Sequence, residues 1–179
     1  MKGGEALPLS QRAAALRQAF DQTFATAPDS AAASSHAFLA VGIGGDNYAL
    51  RLSDVSELHV DKKVVPLSSH SPDLLGIASF RGILIPIYDL SLLLGYGASA
   101  WARWLVLTKH NLSIGLAFDR LDGYLNLASE AVVPATETRR KYLVEAVSAA
   151  GIARPVIDVV SIVKTVKAQV QSSSIHEGG

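Results

Sequence analysis

The chain has five histidines, no cysteine, and sixteen basic against sixteen acidic residues, which limits the chemistry it can carry. His36, His59, His70, His110 and His176 show no H-x-x-x-H or comparable spacing, so they do not build a metal site. The lack of cysteine excludes disulfides, thiolate metal sites and thiol nucleophiles together. Serines are plentiful, yet none sits in a G-x-S-x-G elbow. Gly42-Ile43-Gly44-Gly45 has the look of a phosphate loop, but Asp46-Asn47 and a strand pattern follow it instead of a helix. Asp119 and Asp122 read as turn caps or solvated loop residues. Trp101 and Trp104 are not interleaved with a basic run, as a nucleic-acid platform would need. No catalytic residue, metal ligand or cofactor is expected, and the chain reads as a binding module.

One charged side chain stands out within residues 76–95. Two apolar runs, Leu74–Phe80 and 83–88, flank Arg81-Gly82, which reads as a β-hairpin. Arg81 is the single charge before Asp89 in this stretch, and a purely structural hairpin does not require it. Pro86 cannot donate to a ladder, so its strand is expected at a sheet edge or at a bulge. Asp89 stands where an N-cap belongs, ahead of Leu90-Ser91-Leu92-Leu93-Leu94, and Gly95 suits a left-handed C′ position.

The elements around this unit follow from composition and pattern. At 179 residues, 49% apolar and 18% charged, the chain is globular and long enough for a sizeable core. Balanced charge removes the main electrostatic reason to expect nucleic acid or an anionic membrane. No apolar run reaches the roughly 18 residues of a spanning helix, and no signal peptide is recognisable. The cytoplasm is the expected compartment, without direct membrane insertion.

Residues 1–35 read as an N-terminal helix and linker. Ser10 caps a helix running to about Phe24, with Ala13, Leu16, Phe20 and Phe24 along one narrow face. That helix either lies on the domain or frays, or it docks a partner or a second copy. From His36 the pattern is one of short strands: 38–43 and 48–52 about a glycine turn, 55–60, the central hairpin, 104–109, 114–118, 124–127, 143–149 and 154–157. Residues 62–73 read as a polar loop and 131–142 as irregular. The span 36–168 is taken as one domain of two subdomains, and 169–179 as a disordered tail.

A weak internal repeat organises these strands. Residues 48–58 lie over 114–124, Gly82 over Gly151, and Pro86-Ile87-Tyr88-Asp89 over Pro155-Val156-Ile157-Asp158. Ser91 and Ser161 follow the two aspartates, and each half reads strand, turn, strand, hairpin, capped helical turn. The repeat fails at Glu57, opposite Gly123, and at Arg81, opposite Ala150. Both members of a possible ion pair thus occur in the first half only.

The central stretch resembles the signature of the CheW family, adaptors of bacterial chemosensory arrays. Ser79-Phe80-Arg81-Gly82 stands for the family's Asn-Leu-Arg-Gly, departing at the first two positions, and Pro86-Ile87-Tyr88-Asp89-Leu90 for its Pro-x-x-Asp-Leu. The similarity runs over about residues 36–167. It implies a mainly β fold of two intertwined five-stranded SH3-like barrels with short helical turns, here with the N-terminal helix added. It also implies a non-enzymatic adaptor coupling the cytoplasmic tips of chemoreceptors to the regulatory domain of a CheA-type histidine kinase, in membrane or cytoplasmic arrays. The alternative is an adaptor that binds receptors but not the kinase and moderates signalling.

In that family the receptor tip lies in an apolar groove between the barrels. Val55-Ser56-Glu57-Leu58 matches the family's Val-x-Glu-Ile segment, and Gly76 and Arg81 flank the Asn-Leu positions. The resemblance makes Val55, Glu57, Leu58, Gly76, Phe80 and Arg81 the partner-binding candidates, although Val55 and Leu58 also read as ordinary core residues. Glu57 and Arg81 are expected to pair at the rim of the groove.

Overall fold

A computed structural model describes residues 35–68, 71–99, 102–109, 113–134 and 141–176. The expected N-terminal helix lies outside the described residues. Among the described residues eleven strands form two sheets. They are β1 (Ser35–Ile43), β2 (Asp46–Arg51), β3 (Val55–Val60), β4 (Leu74–Phe80), β5 (Ile83–Asp89), β6 (Trp104–Thr108), β7 (Gly115–Phe118), β8 (Arg120–Ala128), β9 (Val132–Pro134), β10 (Leu143–Ala149) and β11 (Ile152–Ile157). Two α-helices, α1 (Leu90–Leu93) and α2 (Val159–His176), and two 3-10 turns, Leu52–Asp54 and Ser129–Ala131, complete the order.

The sheets exchange strands between the halves of the chain. One runs β3-β6-β7-β5-β4, the other β8-β1-β2-β11-β10-β9. The β1–β2 hairpin therefore joins strands from the C-terminal half, and β6–β7 joins strands from the N-terminal half. Both sheets repeat one plan in one register. Ile87 pairs in parallel with Gly115 where Val156 pairs with Ala49, and Ile77 faces Pro86 where Ala146 faces Pro155.

The same turn geometry closes both hairpins. Arg81 and Gly82 have φ of 50° and 82°, Ala150 and Gly151 50° and 76°. Two successive left-handed residues make the type I′ turn that matches strand twist. The aspartates repeat as well. The Ser91 N–H donates to Asp89 Oδ1 (2.8 Å) and the Ser161 N–H to Asp158 Oδ1 (3.0 Å). Gly95, φ 83°, ends α1 in the left-handed conformation expected of it.

Alternation along the strands divides the core. Leu39, Val41 and Ile43 of β1 join Val106, Leu116, Leu90 and the Val159, Ile162, Val163 and Val166 face of α2 in a cluster fed by both sheets and both helices. Phe38, on the opposite face of β1, packs with Ala49, Val147 and Val156 inside its own sheet. Ala78, Phe80, Ile85, Ile87, Leu105, Leu107 and Ala117 fill the other sheet.

Four expectations change. The second sheet has six strands, because β9 pairs with β10 through Val133 and Ala146. The first sheet holds only a bridge at the matching place, Val65 to Ile77, within what reads as a polar loop. Pro86 lies in an inner strand, but β7 pairs only with Ile87, Tyr88 and Asp89, so no neighbour requires the missing N–H of Pro86. The expected tail from residue 169 is helical as far as His176, and α2 is far longer than a turn. Its buried residues step by three and four, and no glycine or proline interrupts the sequence that follows.

Candidate partner-binding site

Glu57 occupies β3, an edge of the first sheet, just after a bulge. Val55 pairs with Thr108 and Glu57 with Leu107, leaving Ser56 as the extra residue. The Ser56 hydroxyl donates to the Leu107 carbonyl (3.2 Å), which uses the ladder position that the bulge frees. The bulge turns the Glu57 carboxylate toward the opposite edge strand, β4, and its hairpin turn.

There Glu57 is held from two sides. Arg81 Nη2 lies 3.0 Å from Oε1, and His59 Nε2 lies 2.9 Å from Oε2. His59 in turn packs against Phe80 with ring centroids 4.9 Å apart and planes tilted by 55°, and Lys62 Nζ sits 4.6 Å above the same ring. These contacts join the two edge strands of one sheet, so that sheet is rolled on itself. Glu57 and His59 are about 70% covered, while the Arg81 side chain is 83% exposed. Arg81 thus anchors through one contact and presents most of its guanidinium to the outside.

The expected site residues do not all gather here. Glu57, Phe80 and Arg81 meet, with Phe80 buried beneath the polar groups. Val55 is buried in the core shared by the two sheets, and Leu58 is exposed on the neighbouring face of β3. Gly76 has a structural reason of its own. A Cβ there would stand 2.0 Å from the Val65 carbonyl oxygen, and its φ is 147°. His59 and Lys62 were not expected at the site. Their signal in the sequence is the two-residue step from Glu57 to His59, which puts both on one strand face.

The matching place in the second sheet is built otherwise. Gly123 follows a bulge between Ala40 and Val41 pairings, and Ala150 holds the turn. Ion pairs stand elsewhere instead: Arg51 with Glu145, and Asp122 with both Arg120 and Arg154. Asp122 is therefore a strand residue engaged with two guanidiniums, not a turn cap. Its carboxyl is held below the usual carboxylate range, first by the Arg120 hydrogen bonds and further by Arg154. Asp119 is also no solvated loop residue. It accepts from the Gly44 N–H (2.9 Å) and from the Ser99 hydroxyl.

Comparison with known proteins agrees with this architecture. The model of the CheW-like domain family matches residues 37–167. Among solved structures the chain is similar to scaffolding protein TtCheW from Thermoanaerobacter tengcongensis, with a TM-score of 0.62 and 17% identity. That match covers 68% of this chain and 88% of the other, and at such identity it speaks to the fold.

Proposed function

The chain belongs to the CheW-like domain family, and from that premise we propose that it is a non-enzymatic adaptor coupling chemoreceptors to a CheA-type histidine kinase. The observation that carries this reading is the Glu57–Arg81 pair. It spans the edges of the first sheet, whereas the matching residues of the second are Gly123 and Ala150. The turn itself accepts an alanine in the second half, so its geometry does not dictate an arginine. An outward guanidinium held by Glu57 is suited to docking a receptor tip that offers acidic groups.

Each rolled sheet is read as a small SH3-like barrel. The kinase's regulatory domain is assigned to the outer face of the first, where Leu84 and Val65 are 64% and 51% exposed. Val133 repeats Val65 in the second half, but Ala153 takes the place of Leu84, so Leu84 at least is not a requirement of the fold.

Capture experiments with the cell's own receptor fragments and CheA test this reading. The full chain should bring down both together, and Arg81→Ala should lose the receptor while keeping the kinase. Capture of receptors without kinase would leave the moderating adaptor, and capture of neither would refute the reading.

A further inference from the structure

His59 is a titratable residue where the fold accepts an aliphatic one. By the internal repeat its counterpart is Leu125, and the two hold one register: His59 pairs with Leu105 as Leu125 pairs with Phe38. Leu125 packs against the apolar cluster of the second sheet. His59 shares its face of β3 with Glu57, whose pairing partner is Leu107. Leu105 and Leu107 both belong to the apolar cluster that holds Phe80. The imidazole and the carboxylate thus meet on an apolar floor, where charge acts more strongly than in open water.

Their hydrogen bond decides which ring nitrogen can titrate. An ionised carboxylate only accepts, so the 2.9 Å contact with Glu57 Oε2 places a hydrogen on His59 Nε2. Proton uptake then occurs at Nδ1 and changes the charge of the ring without breaking the contact. Among the described residues three charged groups face it. Glu57 stands on the same strand, Arg81 lies beyond Glu57 in the β4–β5 turn, and Lys62 sits over the Phe80 ring against which His59 packs. Asp61, two residues on in the chain, is matched by Arg103 through two hydrogen bonds (2.9 and 2.7 Å). While His59 is neutral, the Glu57 carboxylate is bound by one cation, Arg81. Once His59 is charged, two cations share it.

We propose that His59 is a proton-controlled positioning residue for Arg81. Proton uptake at Nδ1 sets a positive charge beside Glu57, loosens the hold of Glu57 on Arg81 and strengthens docking of an acidic partner group on the outward guanidinium. Imidazole is the side chain whose charge changes between about pH 5 and pH 8, so docking would respond to pH in the physiological range. The proposal rests on the reading of Arg81 as the receptor contact, and adds the means by which that contact is regulated.

A pH titration of the ¹⁵N- and ¹³C-labelled full chain tests the coupling. Between about pH 8 and pH 5 the Glu57 carboxyl carbon should shift with the midpoint of the His59 ring nitrogens. In His59→Gln, which keeps a donor but cannot take up charge, that shift should vanish. A receptor fragment should bind the wild type more tightly at about pH 6 than at about pH 8, by about three-fold beyond any change seen with His59→Gln. With Arg81→Ala in both chains this excess should disappear, because the effect acts through the guanidinium. If His59→Gln does not fold, His59→Leu, matching Leu125, takes its place in the comparison. A Glu57 carbon that ignores His59, an excess absent from the wild type, or one that survives Arg81→Ala overturns the proposal. A fragment bound at neither pH while Glu57 still follows His59 overturns the receptor reading, and with it the docking step.

Discussion

Glu57 Oε1 lies 3.0 Å from Arg81 Nη2, and the contact ties edge strand β3 to the turn between β4 and β5. Because Arg81 is largely exposed, solvent screens most of the attraction, and the pair is worth about 0–1 kcal/mol to folding. Arg81→Ala should therefore weaken receptor coupling far more than it lowers the melting temperature. Receptor-fragment affinity measured beside a thermal melt checks this. An equal loss in both would make the pair a structural clasp.

The charge-swapped double mutant, Glu57→Arg with Arg81→Glu, restores the attraction but not the whole site. His59 would then face a guanidinium in place of the Glu57 carboxylate that it now contacts at 2.9 Å. Partial recovery of receptor affinity is the expected outcome. Full recovery would mean that His59 takes no part in holding Glu57.

Gly76→Ala should be costly despite its small size. The new Cβ would meet the Val65 carbonyl oxygen, a backbone atom that also bonds to the Ile77 N–H (2.9 Å), and the residue would keep φ near 147°. Strain of this kind costs about 1–3 kcal/mol before any clash is relieved. Urea unfolding of the variant measures the loss, and an unchanged midpoint would contradict the close approach.

Much of this arrangement was legible in the sequence because the chain repeats itself. Aligning Gly82 with Gly151 and Asp89 with Asp158 located both hairpins and both caps, and its failure at Glu57 and Arg81 singled out the pair. What escaped is physically short or distant. Val64-Val65-Pro66 and Val132-Val133-Pro134 are counterparts against β4 and β10, yet three residues are too few for a periodic signal. Asp122 and Arg154 meet only through the fold, since β8 and β11 belong to different parts of the chain. The length of α2 followed from an absence of stops that compositional reading took for disorder.

The two capping aspartates should differ in weight. Asp89 is fully buried and accepts from the Ser91 and Ser99 N–H groups (2.8 and 2.9 Å), so it also anchors the segment after α1. Asp158 is partly covered and, among the described residues, serves Ser161 alone, through its N–H and hydroxyl. Asp158→Ala should cost about 1 kcal/mol, and Asp89→Ala about 2–3 kcal/mol because a buried N–H is left unmatched. Denaturant midpoints of the two variants, compared under one set of conditions, rank them.

The final prediction uses the chain's own first half as a template for its second. Asp122 and Arg154 correspond to Ser56 and Ile85, a polar and an apolar residue that build the same part of the first sheet. Asp122→Ser alone strands the buried Arg154 guanidinium, which should cost about 3–5 kcal/mol. Arg154→Ile alone leaves Asp122 paired with Arg120 and should be cheap. The double variant removes both the charge and its need for a partner, so it should be neutral or more stable by about 1–4 kcal/mol. Acid sharpens the same contrast. The Asp122 carboxyl is held below its usual range, chiefly by Arg120, so its stabilisation is full above the unfolded carboxylate range and fades as pH falls through the lower folded value. Between about pH 5 and pH 2 the wild type should lose more stability than the double variant. Urea midpoints for all four chains at neutral and acid pH give the coupling energy and its pH dependence. If Asp122→Ser is as mild as Arg154→Ile, Arg154 finds another acceptor and the buried guanidinium does not depend on Asp122.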